Sequence, residues 1–370
     1  MAASTTTIPY SSAEITPEWL TAVLREGGHI GDATITAIEK TIVGEGIGFL
    51  GELTRLTLTY DRPAPRAPAT LISKIPTAFQ QSRDVGNAFR FYEREGRFYD
   101  EVAPGIDLRV PKCYYNAIDP GADRFLLLLE EIRDAEVGDQ LLGCTLEQAR
   151  TVIPAIAKFH AAWWQSPKLE GLASWMPTLT DPLYDYLEPL WRQSWDAFLE
   201  LQVEDYPRAE MTLIANRHVD QMDQLRARVD SMPMSITHSD FRLDNMFFGA
   251  RGSATPFALI DWQLVIRATP LADIGYFLSQ SLDIELRRAH EMELLRDYHR
   301  VLVENGVRDY SFAQCFEEYR FGVQFMVVIP VTAGSTLDRS NPRALPLMRA
   351  MAERATAAIL DLKTYETLAG

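Results

Sequence analysis

Cysteine is scarce. Cys113, Cys144 and Cys315 are three thiols in 370 residues, odd in number and far apart. They exclude a disulfide framework, and no Cys/His group has zinc-site spacing. Positive charge is also short, with 36 Lys and Arg against 51 Asp and Glu and a net charge of −15. That excludes non-specific binding to nucleic acid or an anionic membrane, because both need a basic face; a local basic cleft stays open. Long apolar runs are missing. The longest uncharged stretch, 321–336, contains Gln324 and Pro330 and is too short to span a bilayer comfortably. The N-terminal residues MAASTTTIPYSSAEITPEW have neither a basic region nor an apolar stretch of signal-peptide type. The expectation is a soluble, cytoplasmic protein with no membrane and no nucleic-acid partner.

What is present is ordinary globular composition, 47% apolar and 24% charged. The length predicts two domains or lobes. In the N-terminal third, Thr16 and Pro17 predict a helix start and Gly27-Gly28 its end. Residues 35–43, 52–60 and 69–75 read as strands, 83–102 as a helix, and 125–129 as a buried strand. Beyond Glu131 the pattern turns helical, over 145–164, 181–200, 209–230, 285–304, 311–328 and 343–364, with short apolar strands at 235–237 and 257–260. This predicts a small β-rich lobe over 1–130 and a large α-rich lobe over 131–370.

Three motifs carry chemistry. Gly46, Gly48 and Gly51 form G-x-G-x-x-G. A dinucleotide fingerprint continues into a helix, whereas here Leu56, Leu58 and Tyr60 alternate with threonines, which is a strand. A glycine loop between strands is the arrangement with which kinases cover ATP phosphates; the bland alternative is a glycine-rich hairpin. Lys74 sits in the apolar strand Leu71-Ile-Ser-Lys-Ile75, one of six lysines in the chain. A kinase lysine in such a strand holds the α- and β-phosphates and pairs with a helix glutamate, here Glu93 or Glu95; an edge lysine reaching to water is the alternative. Third, His238-Ser-Asp240-Phe-Arg-Leu-Asp-Asn245 is H-x-D-x-x-x-x-N, and Asp261 follows after an apolar strand. That interval lets one Asp reach an acceptor hydroxyl while the Asn oxygen and the second Asp reach Mg²⁺. All these parts occur in kinase order.

The segments HSDFRLDNMFF, ALIDWQ and PLADIGYFL resemble the aminoglycoside phosphotransferase superfamily of small-molecule kinases. LIDWQ, GYFL and the TPEWL helix resemble its ecdysteroid kinase-like (CHK kinase-like) branch, and HSDFRLDN is also similar to the loops of hydroxyacyl-CoA kinases. The resemblance implies an α+β, bilobal protein-kinase-like fold using ATP and Mg²⁺. It implies that Asp240 is the catalytic base, that Arg242 lies near the γ-phosphate, and that Asn245 and Asp261 hold Mg²⁺. Gly46, Gly48, Lys74 and Glu95 would then hold the phosphates, Glu130 and Ile132 of the 128–132 hinge would bind adenine through the backbone, and Asp273 would brace the catalytic loop. Ser239 departs from the glycine usual at its position. The lack of a long activation loop after Asp261 argues against a protein kinase.

The expected partner is a small-molecule hydroxyl acceptor, a lipophilic alcohol such as a steroid. A hydroxyacyl-CoA, an antibiotic, or a nucleotide-binding pseudokinase scaffold are the alternatives. Trp191, Trp195 and Phe325 are candidates for the acceptor wall. His160 reads as a packed core histidine, and His290 and His299 lack partners at metal spacing.

Overall fold

The computed structural model describes residues 7–43, 51–201, 208–249, 257–336 and 341–368. Gly46 and Gly48 lie outside the described residues. The chain divides into two compact units. The first comprises residues 1–106, 110–133 and 260–263, the second 107–109, 134–259 and 264–370.

In the first unit, α1 (Pro17–Glu26) starts where Thr16 accepts a hydrogen bond from the Trp19 N–H and Pro17 takes the first helical position. Strands β1 (Ile35–Val43), β2 (Gly51–Tyr60) and β3 (Thr70–Pro76) follow. Two helices, α2 (Gln80–Ala88) and α3 (Phe91–Arg97), precede β4 (Cys113–Asp119) and β5 (Arg124–Glu130). The sheet is antiparallel with the order β1-β2-β3-β5-β4. Alternation assigns its faces. Leu71 and Ile75 of β3 and Leu126 and Leu128 of β5 pack with Leu20, Val23 and Leu24 of α1. Ile72 and Lys74 therefore take the opposite face, Lys74 opposite Leu127 in register. The expected helix over 83–102 is broken. Arg90 adopts a left-handed φ of 56° and its guanidinium turns back to Glu93, so α2 ends and α3 begins on a new axis.

The second unit opens with the two-residue strand β6 (Glu136–Val137). Helices α4 (Leu146–Trp163), α5 (Lys168–Leu172), α6 (Leu187–Leu201), α7 (Arg208–Asp220) and α8 (Met222–Ser231) lead to β7 (Ser235–Thr237). Short strands β8 (Met246–Phe248), β9 (Phe257–Leu259) and β10 (Ile266–Ala268) are followed by α9 (Leu271–Gln280), α10 (Ile284–Glu304), α11 (Phe312–Met326), α12 (Val328–Thr336) and α13 (Ala344–Leu362). The strands form two small sheets, β6-β8-β9 and β10-β7. Thr145 and Gln148 cap α4 reciprocally. The single helix expected over 209–230 is two, interrupted at Gln221. Among the described residues, no helix is long and apolar enough to cross a membrane.

Helix α9 is buried at every position and crosses α11 backbone to backbone. A Cβ on Gly275 would sit 2.6 Å from the Gly322 carbonyl carbon, and one on Gly322 would collide with the Leu271 carbonyl oxygen. Neither obstacle is a flexible side chain, so the helices must part to accept a methyl group. Gly322→Ala is expected to destabilise the protein by about 1–3 kcal/mol. A urea midpoint equal to wild type would contradict this contact.

Candidate active site

In the first unit, three charged groups meet. Lys74 Nζ lies 2.7 Å from Glu95 Oε2 and 2.7 Å from Asp261 Oδ1. The strand face supplies Lys74. The restart at Arg90 decides between the two candidate glutamates, because Glu93 is held by Arg90 while Glu95 reaches Lys74. Asp261 has φ 66°, and the next residue, Trp262, is buried and stacks on Phe98 with centroids 3.9 Å apart. The Trp262 backbone N–H also bonds the Glu95 carboxylate. Burial opposes the charge on Lys74, but Asp261 and Glu95 outweigh it and hold the ammonium above the ordinary lysine range. Burial pushes Glu95 up to about 7 against the pull of Lys74, and the Asp261 charge pushes the same way. One ammonium thus serves two carboxylates.

Glu130 and Ile132 lie at the end of β5. The Glu130 N–H is spent on the Lys112 carbonyl, while the Ile132 N–H has no partner among the described residues. Glu131 between them is fixed by Arg55, Thr70 and Arg133 at 2.5, 2.6 and 2.9 Å.

In the second unit, the loop between β7 and β8 brings Asp240, Arg242 and Asn245 together. The Asn245 amide N–H group donates to the Asp240 carbonyl and to Asp240 Oδ2, both at 2.9 Å. This orientation spends the nitrogen inside the loop and leaves the amide oxygen as the group for a cation. Arg242 Nε lies 3.3 Å from the Asp240 carboxylate, and the Tyr276 hydroxyl 3.5 Å from it. Burial first, and the Asp240 charge second, raise the Tyr276 phenol well above its ordinary range, so it stays a donor. The group this loop offers a cation is an amide oxygen, a hard donor of the kind Mg²⁺ takes.

Asp273, at the start of α9 and fully buried, accepts the backbone N–H groups of His238 at 2.7 Å and Ser239 at 2.9 Å. His160 Nε2 lies 3.5 Å from the same carboxylate, and its Nδ1 lies 3.0 Å from the Tyr298 hydroxyl. Burial, only partly offset by Asp273, lowers the His160 pKa and keeps the ring neutral. It is a packed histidine.

The expected aromatic wall is mostly core. Trp191 and Phe325 are 2% and 3% exposed. Trp191 stacks between Trp195 and His218, whose Nδ1 meets the Gln324 amide at 3.1 Å. Burial lowers the His218 pKa to about 3, so this column stays uncharged. Only Trp195 keeps partial exposure. Trp191 is buried on α6 and Phe325 on α11, so both serve as packing residues of their helices.

Four participants were not legible as site residues: Gln140, Asp244, Tyr276 and Arg343. Asp244 and Arg343 are 99 positions apart, so no local spacing announces their pairing.

Solved structures similar to this chain include small-molecule phosphotransferases and kinases. The GDP complex of wild-type aminoglycoside 2'-phosphotransferase-IIIa is 13% identical, with 93% of this chain and 99% of that one covered and a TM-score of 0.55. A candidate aminoglycoside phosphotransferase of Ralstonia eutropha JMP134 is 18% identical over 96% and 99%, TM-score 0.54. Choline kinase of Cryptosporidium parvum Iowa II is 11% identical over 95% of each chain, TM-score 0.50. At these identities the likeness is one of fold. No curated protein matches the chain. The sequence profile of the ecdysteroid kinase-like family matches residues 45–308. The chain belongs to that family and is a small-molecule kinase.

Ser239 explains a departure noted in the sequence. Its φ is 66°, a left-handed conformation that costs an L-residue about 1–2 kcal/mol. A glycine would remove the strain but lose its own unfolded-state freedom, and the Thr237 contact at 3.2 Å would go. Ser239→Gly is expected to gain about 0.5–1 kcal/mol, the difference between strain relief and glycine entropy. Lower stability in urea unfolding would show that the hydroxyl contact outweighs the strain.

Proposed function

We propose that the protein transfers the γ-phosphoryl group of ATP, with Mg²⁺, to a hydroxyl of a small molecule. The observation that carries this reading is the Asp240 loop, with its carboxylate gripped by the Asn245 amide so that base and metal oxygen are set together. In the reaction the acceptor oxygen attacks the γ-phosphorus, the bond from that phosphorus to the bridging oxygen breaks, and ADP leaves. Asp240 takes the hydroxyl proton. Arg242 offers charge to the γ-phosphate oxygens. Lys74 would take phosphate oxygen while keeping Glu95, and Asp261 and Asn245 are the residues that would hold Mg²⁺. The ion bound with the nucleotide supplies neutralisation of the β- and γ-phosphates. The Ile132 N–H and the Glu130 carbonyl are the hinge groups for adenine. Catalysis is then positioning and electrostatics, as phosphoryl transfer permits. The acceptor class we propose is a lipophilic alcohol such as a steroid. Its support is the family, which is named for ecdysteroid kinases.

An ADP-release screen over alcohols, hydroxyacyl-CoAs and antibiotics tests both parts, with the product mapped by phosphorus NMR. Asp240→Asn should lower turnover about 10²–10⁴-fold with little change in ATP affinity. Near-wild-type turnover in this variant would remove Asp240 from its role. Absence of ADP release with every acceptor would favour a nucleotide-binding scaffold.

A further inference from the structure

The loop that carries Asp240 and Asn245 is seated on a segment far from it in sequence. Strand β6 pairs with β8, and the Gly138 N–H donates to the Met246 carbonyl at 2.8 Å. A Cβ on Gly138 would sit 2.5 Å from the Leu243 carbonyl oxygen, so the two backbones lie flush. Gln140 follows and has no exposed surface. Each of its polar groups is used. Its backbone N–H reaches Asp244 Oδ1 at 3.1 Å, and its carbonyl accepts Arg354 Nη1 at 2.7 Å. Arg343 bridges the same Asp244 oxygen, at 2.9 Å, to Asp139, at 2.6 Å. The Gln140 side-chain oxygen accepts the Leu243 N–H at 2.9 Å and the Ser281 hydroxyl at 3.0 Å, and its side-chain nitrogen donates to the Gln280 carbonyl at 2.9 Å. One amide thus ties the loop to the end of α9. Residues Leu243–Asn245 form a single 3-10 turn, closed by the Asn245 N–H on the Arg242 carbonyl at 3.0 Å. The Leu243 N–H at the head of that turn has no acceptor within it, and no side chain of the preceding residue caps it. Gln140 Oε1 is the acceptor.

We infer that Gln140 is a positioning residue: it holds the head of this turn, and Asp244 in its middle, and so fixes Asn245 at its end with the amide oxygen set for a divalent cation. This rests on the phosphotransferase reading and adds to it a control of the metal ligand from outside the loop. Without the Gln140 oxygen a buried N–H is left unmet, and the turn must shift or open to satisfy it. Asn245 moves with the turn. The loss then falls on the placement of the cation's ligand, so the metal-dependent part of nucleotide binding is the part it reaches.

The test is calorimetric titration of ATP into the full chain with and without Mg²⁺. In wild type Mg²⁺ should strengthen binding. Gln140→Met, which matches the side chain in length and lacks the oxygen, should lose about tenfold of that strengthening, the scale of one buried hydrogen bond left unmade, with metal-free ATP affinity unchanged. Gln140→Glu keeps an oxygen for Leu243 and Ser281 and should return most of the loss. A role in stability alone would lower the unfolding midpoint of the Met variant and leave its Mg²⁺ strengthening intact. That result, or no return in the Glu variant, would overturn the inference and leave the phosphotransferase reading standing. If neither variant folds, hydrogen exchange on the wild-type protein decides. The Leu243 and Asn245 amides should exchange slowly before any ligand is added. Fast exchange that slows only with Mg·ATP would show that the ligand, not Gln140, orders the turn, and would overturn the inference. Failure of the wild-type protein to bind ATP more tightly with Mg²⁺ would overturn the phosphotransferase reading and this inference with it.

Discussion

The second unit's site depends on one buried carboxylate. Asp273 has no exposed surface, and it holds the backbone N–H groups of His238 and Ser239. An ionised group at that depth is tolerable only if it is fully hydrogen-bonded, and two adjacent N–H groups supply what bulk water would. The reciprocal effect is on the loop. Anchored at 238 and 239, the chain is forced through the left-handed turn at Ser239 and emerges with Asp240 directed at Asn245 and Tyr276. The strain at Ser239 and the desolvation of Asp273 are local costs met by the packing of α9, which is buried along its whole length.

The first unit poses the complementary problem, a cation short of neutrality rather than an anion short of donors. Lys74 is shared by Glu95 and Asp261, and burial makes two full negative charges beside one ammonium unfavourable. Such a cluster gains from a partner that separates the two carboxylates. A nucleotide phosphate can take Lys74, and a divalent ion can take Asp261. The charge imbalance of the resting triad is therefore part of the physical case for a metal–nucleotide ligand.

Much of this was legible in the sequence where chemistry and spacing are local. The H-x-D-x-x-x-x-N segment, the strand lysine and the apolar-Asp element each lie within a few residues. The choice of Glu95 over Glu93 was not settled by the residues alone, because it turns on the left-handed break at Arg90 and the new helix axis that follows. Helix α9 escaped periodicity since a helix buried all round has no polar face to mark its turns. Strand β4 escaped for a related reason: its residues are partly buried on both faces and show no alternation. The clamp on Asp244 was invisible because its members come from residues 139, 140 and 343. The aromatic residues of α6 misled because core and pocket walls share one helical period.

The most direct measurement is titration of ATP into the protein with and without Mg²⁺, in wild type and in Asp261→Ala. The account predicts binding that is strengthened by Mg²⁺ in wild type and a loss of that strengthening in the variant. Binding that is indifferent to Mg²⁺, or equally metal-dependent after Asp261 is removed, would contradict it.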